Sequence, residues 1–271
     1  MIELPQVMLC AVTSVELAET CDALRRSSRQ IRFGDVALLT DHAAGSLKDP
    51  NGFRQVAIQP IASREAYSRF MIEQLADHAT HDHVLIVQWD GFVCHPPAWT
   101  DEFLQYDYIG APWPQFAPPS NVGNGGFSLR SRRLLEALAA GGFGRHDIED
   151  LAICRDWRPR LEAEFGIRFA PPELAGRFSF ERHKPGGPTF GFHGLFNFPA
   201  VLPEGDLAPW LTSLSAERLA GRDGEDLIIA LIKKRQWADA ASLVRRRASV
   251  DRSGRTAHRF AAKLISALAG R

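Results

Sequence analysis

Apolar residues come in short runs through the first ninety positions, and the runs alternate between two periods. Val7 to Val12 is wholly apolar and predicts a buried strand, while the apolar positions from Val15 to Arg29 recur at helical spacing. Val36 to Thr40 and Val56 to Ile61 predict a second and a third strand. Ser63-Arg64-Glu65 has the form of a helix start, followed by Tyr67, Phe70, Met71 and Leu75 on one face. Val84-Leu85-Ile86-Val87 is apolar without a break, as expected of a parallel strand covered on both sides. Strands alternating with helices predict an α/β domain with a mostly parallel sheet flanked by helices.

The second half is less regular. Pro112, Pro114, Pro118 and Pro119 mark a long loop, and a short strand at Phe127-Ser128-Leu129 follows it. A helix is predicted over Arg132 to Ala140, ended by Gly141-Gly142, and another from the acids after His146 to about Phe165, closed by Gly166. Beyond residue 214, Leu227, Ile228, Leu231, Ile232, Trp237, Ala241, Leu243 and Val244 again fall at helical spacing. These patterns predict a main domain over 1–214 and a C-terminal helical appendage over 215–271.

Composition adds limits. With 271 residues, 45% hydrophobic and 24% charged, the chain has the make-up of a globular protein with a sizeable core. Its 32 basic and 32 acidic residues balance, which speaks against a nucleic-acid partner. The balance is uneven along the chain, because residues 215–271 hold 13 Lys/Arg against 6 Asp/Glu. A basic amphipathic tail suits either a solvated helical face or peripheral contact with an anionic membrane. The start, MIELPQVMLCAVTS, lacks a basic n-region and a small-residue cleavage site, and no apolar run is long enough to span a bilayer. Cys10, Cys21, Cys94 and Cys154 fall at no metal or redox spacing and are expected to be buried thiols. A cytoplasmic protein, peripheral at most to the inner face of the membrane, is the expectation.

Four segments carry candidate chemistry. Ligands of open α/β sheets sit at the carboxyl ends of the strands, and the fourth strand ends in Gln88-Trp89-Asp90-Gly91. Asp90 is therefore placed to bind a metal or a sugar hydroxyl, although Asp-Gly is also a common turn pair. The segment Asn121 to Arg130 holds Gly123, Gly125 and Gly126, but a proline-rich loop precedes them and a strand follows, so the dinucleotide fingerprint does not apply. Such glycines allow either close approach of the backbone to a ligand or positive φ. His146-Asp147-Ile148-Glu149-Asp150 crowds acids into one helical turn, which the helix dipole favours and which also supplies candidate general bases. His193, in Phe190-Gly191-Phe192-His193-Gly194, is either a core histidine or a metal ligand. The denser group of His78, His81, His83, Asp77 and Asp82 is expected to be solvated.

In this order the four segments resemble the GT-A glycosyltransferase fold. That family has an acidic D-x-D motif after the fourth core strand, a glycine-rich loop, an x-Glu-Asp motif opening a helix, and a late histidine. The phrases VLIVQWDGFV, YDYIGAPWP, VGNGGFSLRSRRLL and FGFHGLFNF resemble more closely a family of uncharacterised, mostly microbial domains placed near the glycosyltransferases. The resemblance covers about residues 7–200. It implies a nucleotide-sugar donor, a glycan or lipid-linked acceptor, and a divalent cation (Mn2+ or Mg2+) held by Asp90 and His193. It further implies Asp150 as the base that takes the acceptor proton, with Glu149 in reserve, and inversion at the anomeric carbon. Gln88, Trp89, Gly125, Gly126, Phe127 and Trp113 would line the donor and acceptor, the aromatic ones offering faces to sugar rings. Gln88 stands where the family has its first D-x-D acid, so the cation has one charged ligand fewer, or Arg155 or Lys184 takes over its task.

Two other classes remain. The substitution at Gln88 motivates a non-catalytic carbohydrate- or nucleotide-binding module on the same fold. A metal-dependent hydrolase or nucleotidyltransferase needs a denser ligand set, and neither a P-loop nor a G-x-S-x-G elbow is present.

Overall fold

Alternate residues of the first strand pack against opposite faces of one sheet. The computed structural model of the chain describes residues 1–43, 52–250 and 260. Its strands are β1 (Ile2–Val12), β2 (Ile31–Thr40), β3 (Arg54–Ala57), β4 (His83–Val87), β5 (Tyr108–Ile109), β6 (Ala111–Pro112), β7 (Val122–Gly123), β8 (Phe127–Ser131), β9 (Ser179–Phe180) and β10 (Gly191–Phe192). The main sheet runs in the order β3-β2-β1-β4-β8-β5. The first four strands are parallel, and β8 enters antiparallel to both β4 and β5. The expected α/β fold with a mostly parallel sheet is therefore present.

Helices α1 (Leu17–Ser28), α2 (Arg64–Glu73), α3 (Leu75–His78), α4 (Arg132–Ala140), α5 (Glu149–Leu151), α6 (Arg158–Phe165) and α7 (Pro172–Phe178) complete this part of the chain. Leu9, Ala11, Leu85 and Val87 join Leu24 of α1 and Leu174 and Phe178 of α7 in one core layer. Met8, Cys10, Val84 and Ile86 join Phe70 and Met71 of α2 and Leu135 of α4 in the other. Burial on both faces is why these strands read as unbroken apolar runs. Burial pushes the Cys10 thiol up to about 12, as expected of an inert core cysteine. All four cysteines are free.

Several local rules act as expected. Ser63 Oγ caps α2 by accepting from Ala66 N at 3.1 Å, and Ser131 Oγ caps α4 by accepting from Leu134 N at 3.0 Å. Two elements differ from the sequence pattern. β1 begins at Ile2 rather than Val7, because its first residues alternate between exposed and buried and so carry no continuous apolar signal. The helix expected from 146 to 165 is broken: after α5 comes a π turn over Ala152–Asp156, and α6 starts at Arg158. Pro159 explains the break, since it has no N–H to donate and its ring clashes with the carbonyl four residues back.

The chain divides into two compact units, Met1–His193 and Gly194–Arg271. The division precedes residue 214 because α8 (Phe198–Val201) and α9 (Glu204–Ser213) pack with α11 (Arg222–Lys233) and α12 (Trp237–Val250). In α11, Leu227, Ile228 and Leu231 are fully buried, matching their helical spacing. Two of the clustered arginines have structural work. Arg246 donates to the carbonyls of Leu211 and Leu214 at the end of α9. Arg247 donates to those of Leu219 and Gly221 at the end of α10 (Ala216–Ala220). These bonds satisfy carbonyls that a helix C-terminus leaves unpaired. Most of the last basic stretch lies outside the described residues. Among the described residues, no helix is long and apolar enough to cross a membrane.

Candidate functional site

β4 ends in a tight turn. Gln88 N donates to Gly91 O at 3.2 Å and Gly91 N donates to Gln88 O at 3.0 Å, which places Trp89 and Asp90 at its tip. Asp-Gly thus does form a turn, and the turn aims Asp90 at a histidine from the far end of the unit. Asp90 Oδ1 lies 3.3 Å from His193 Nε2, and Gln88 Oε1 lies 3.2 Å from the same nitrogen. Gln88 Nε2 is held in turn by Tyr67 Oη at 3.0 Å.

The other ring nitrogen of His193 faces Glu181 Oε1 at 3.5 Å. β9 and β10 are parallel with Phe180 opposite Phe192, so the next residues, Glu181 and His193, stand side by side. Val93 bridges Gly191 on the other side of β10, which brings the Asp90 turn to the opposite flank of the ring. Burial disfavours charge on this imidazole, but Asp90 and Glu181 outweigh it and hold its pKa well above the usual range. Glu181 is half-buried, which disfavours its charge, yet its bond to His193 keeps its carboxyl below the usual value.

The glycine loop lies against this cluster on one side and against a second acidic cluster on the other. Asn124 adopts φ of 71°, and its Oδ1 accepts from Gly126 N at 3.1 Å and Phe127 N at 3.4 Å. A Cβ on Gly126 would lie 2.1 Å from His193 Nε2, and one on Gly125 would lie 2.1 Å from Glu149 Oε1. Close approach is therefore what requires these two glycines, and the approaching groups are the protein's own side chains.

Glu149 and Asp150 differ sharply although they are adjacent. Glu149 Oε1 pairs with Arg130 Nη2 at 2.7 Å, and Arg130 is fully buried. The same guanidinium donates from Nε to Ser128 Oγ at 3.0 Å and from Nη2 to Gly125 O at 3.4 Å. Ser68 Oγ of α2 accepts from Glu149 N at 3.2 Å and donates to Asp147 O at 2.9 Å, fixing the start of α5. Glu149 is thus a clamp, committed to a fixed cation and unsuited to the reserve role as base. Asp150 instead accepts from two backbone amides, Gly125 N at 3.1 Å and Leu151 N at 2.8 Å. Burial and the neighbouring Glu149 push its carboxyl from 3.8 up to about 6, against the opposing pull of those amides and Arg130.

The aromatic candidates are placed differently from the sequence expectation. Phe127 is fully buried among Phe178 and Phe190, with its ring in the space that a Cβ on Gly191 would need. It is a core residue because its strand is covered on that face, and it offers nothing to a sugar. Trp113 is 5% exposed and lies over Gly123 and against Phe116. Trp89, at the turn, is 9% exposed. Arg155 stacks 3.7 Å from the Phe116 ring centroid and donates to Ser120 O, and Lys184 is exposed. In the histidine-rich turn, His78 stacks on Phe70, and His81 Nδ1 lies 2.8 Å from Thr80 Oγ1.

Among the described residues, no group of three or more His, Cys, Asp or Glu side chains is gathered as a metal cage. Asp90 and His193 form a pair of suitable type, with the Gln88 carbonyl oxygen beside them and a carboxylate on the remote nitrogen. That second feature is the usual support of a metal-binding histidine. Arg130 and Glu181 are the residues that sequence reasoning missed. A lone charged residue in the short strand Phe127–Ser131 could have signalled the first. No local pattern in Phe180-Glu181-Arg182-His183-Lys184 signals the second.

The chain belongs to the family described as "Protein of unknown function (DUF5672)", which matches residues 52–193 and so includes both clusters. No curated protein matches it. Among solved structures, it is similar to the mannosyltransferase PcManGT from Pyrobaculum calidifontis in complex with GDP-Man and Mn2+. That similarity has a TM-score of 0.42 and 14% identity, covering 98% of this chain and 82% of the other. A likeness at this level assigns no residue.

Proposed function

We propose that the protein is an inverting glycosyltransferase of GT-A type, moving a sugar from a nucleotide-sugar donor to a hydroxyl of a glycan or lipid-linked acceptor. The observation that carries this reading is the state of Asp150. It is a largely buried carboxylate held by two amides rather than by a fixed cation, pushed up to about 6, and bonded to the glycine loop that also packs on His193. A base titrating just below neutral pH is ionised at work and retains useful affinity for a proton.

In the reaction, the acceptor oxygen forms the bond to the anomeric carbon while its proton passes to an Asp150 oxygen. The bond from that carbon to the diphosphate oxygen breaks with its electron pair leaving on the nucleotide. Asp90 and His193 would hold a divalent cation, and such a cation would supply neutralisation of the charge that develops on the departing group. Arg130 and Glu149 keep the glycine loop and the base in register. A peripheral membrane role for the second unit draws on Lys233, Lys234, Arg235 and Arg245, which remain exposed.

The test is a thermal-shift panel of UDP-, GDP-, CMP- and dTDP-sugars with and without Mn2+. A ligand at a hundred times its dissociation constant stabilises by about 2.7 kcal/mol. One nucleotide with a Mn2+-enhanced shift is the expected result. A shift indifferent to Mn2+ keeps the donor site and removes the cation. No shift from any donor with folded protein overturns the reading. The amide at Gln88 favours one alternative, a non-catalytic sugar- or nucleotide-binding module. Transfer abolished by Asp150→Asn would exclude it.

A further inference from the structure

α5 starts at Ile148 without a side-chain cap, because an isoleucine has no acceptor to offer. Its first amides are held by other groups. Ser68 Oγ of α2 accepts from Glu149 N at 3.2 Å, Asp150 Oδ1 accepts from Leu151 N at 2.8 Å, and His146 Nδ1 accepts from Ile148 N at 3.1 Å. The His146 ring also reaches the far end of the same segment. Its Nε2 lies 2.8 Å from Oδ2 of Asp156, the last residue of the π turn, and Trp157 packs edge-on against the ring at 5.9 Å between centroids. One side chain thus spans the stretch that carries Glu149 and Asp150.

Both bonds require the same tautomer. A backbone N–H can only donate, so Nδ1 presents its lone pair to Ile148, and an ionised carboxylate can only accept, so Nε2 carries the proton. Asp156 is more than half exposed, and its pairing adds little energy. Its effect is to keep Nδ1 available to Ile148. The second oxygen of Asp150 leaves the helix and accepts from Gly125 N at 3.1 Å, a bond that depends on where α5 begins.

We infer that His146 is a positioning residue for Asp150: with its proton held on Nε2 by Asp156, it fixes Ile148 N and so the helix start from which Asp150 meets the glycine loop. The inference rests on the proposed role of Asp150 as base and adds the residue that sets its place. His146 itself touches neither donor nor acceptor in this scheme.

Three readouts on the full-length protein test it. Amide hydrogen exchange followed by NMR reads the Gly125 N–H, which donates to Asp150 and lies far from His146 in the chain. His146→Ala is expected to speed exchange at Ile148 and at Gly125 by roughly 3–10-fold, the worth of one ordinary hydrogen bond. His146→Asn, whose amide oxygen falls where Nδ1 was, should stay close to wild type at both. Leu85, buried in β4, reports global opening. A change at Gly125 no larger than that at Leu85 overturns the inference, as does a loss in His146→Asn equal to that in His146→Ala. Imidazole 15N shifts of His146 form the second readout, with Nε2–H expected in wild type and Nδ1–H overturning it. The third is sugar transfer, where His146→Ala should lower kcat with the donor KM unchanged and His146→Asn should restore it. Equal kcat in wild type and His146→Ala also overturns the inference. Wild-type protein that transfers no sugar sinks the base reading alone, because exchange at Gly125 decides the placement of Asp150 without donor or metal. Where His146→Ala does not fold, His146→Gln, which leaves Ile148 N without an acceptor at the Nδ1 position, takes its place.

Discussion

The two clusters on either side of the glycine loop handle negative charge in opposite ways. At Arg130–Glu149, a buried carboxylate meets a buried guanidinium at 2.7 Å, and the guanidinium also ties Ser128 and Gly125 to it. That positive charge is permanent, so the cluster is a fixed brace. At Asp90–His193–Glu181, the charge between the carboxylates is an imidazolium, which can release its proton and present a lone pair instead. Asp150 falls between the two cases, close to a carboxylate that has a cation and, among the described residues, in no ion pair of its own. Permanent pairing gives rigidity, whereas replaceable pairing leaves a group able to exchange partners.

The largest expected contrast is between two adjacent acids. Asp150→Asn should not lower stability, since it removes a carboxylate whose charge burial disfavours, and should lower transfer by about 10²–10⁴-fold, the usual worth of a general base. Arg130→Met should show a large cost in urea unfolding, about 3–5 kcal/mol, because Glu149 is left buried with an uncompensated charge. Were Asp150→Asn as destabilising as Arg130→Met, both acids would be parts of one brace and the contrast would disappear.

A smaller effect separates the two glycines. Gly126→Ala pushes on the His193 ring and Gly125→Ala on the Glu149 carboxylate, each from a nominal 2.1 Å. Both should cost about 1–3 kcal/mol as overpacking. Only Gly126→Ala should also weaken Mn2+ binding, which calorimetry with a nucleoside diphosphate would detect. Equal Mn2+ binding by the two variants would mean that the ring position is not critical.

The most gradual effect is a pH slope. Asp150 holds its proton more tightly in the folded chain, up to about 6 from 3.8, so the folded state binds more protons across that window. Its contribution to stability is fully present below about pH 3.8 and is lost as pH rises through about 6. The slope is at most about 1.4 kcal/mol per pH unit. Asp150→Asn should remove it, as measured by urea unfolding across the window. Transfer activity should rise through the same apparent pKa, because the ionised form is the base. An acid limb that persists at the same pH in a partly active Asp150→Asn would assign the titration to another group.

Much of this arrangement is legible from local pattern. The β4 run Val84 to Val87 is apolar because both faces are covered, and α4 occupies Arg132–Ala140 because Ser131 caps it and Leu134, Leu135 and Leu138 share its buried face. The order of Asp90, the glycines, the paired acids and His193 was readable as a chemical sequence. Pro159 was also a legible signal, of a helix break that the acid-rich start obscured.

Other features have no local signature. Glu181 sits in a stretch that reads as solvated surface, and only the parallel pairing of β9 with β10 makes it the neighbour of His193. Phe127 has the composition of a stacking platform, and only the packing of Phe178 and Phe190 makes it core. Glu149 and Asp150 are indistinguishable candidates in one dimension; an arginine 19 residues earlier in the chain commits the first and leaves the second available. By itself the sequence determined which segments become strands and helices, because those depend on periodicity and caps within a few residues. Which acid is paired with an arginine and which is held by backbone amides was decided only by tertiary structure, because charge and burial depend on neighbours that the chain brings together from far apart.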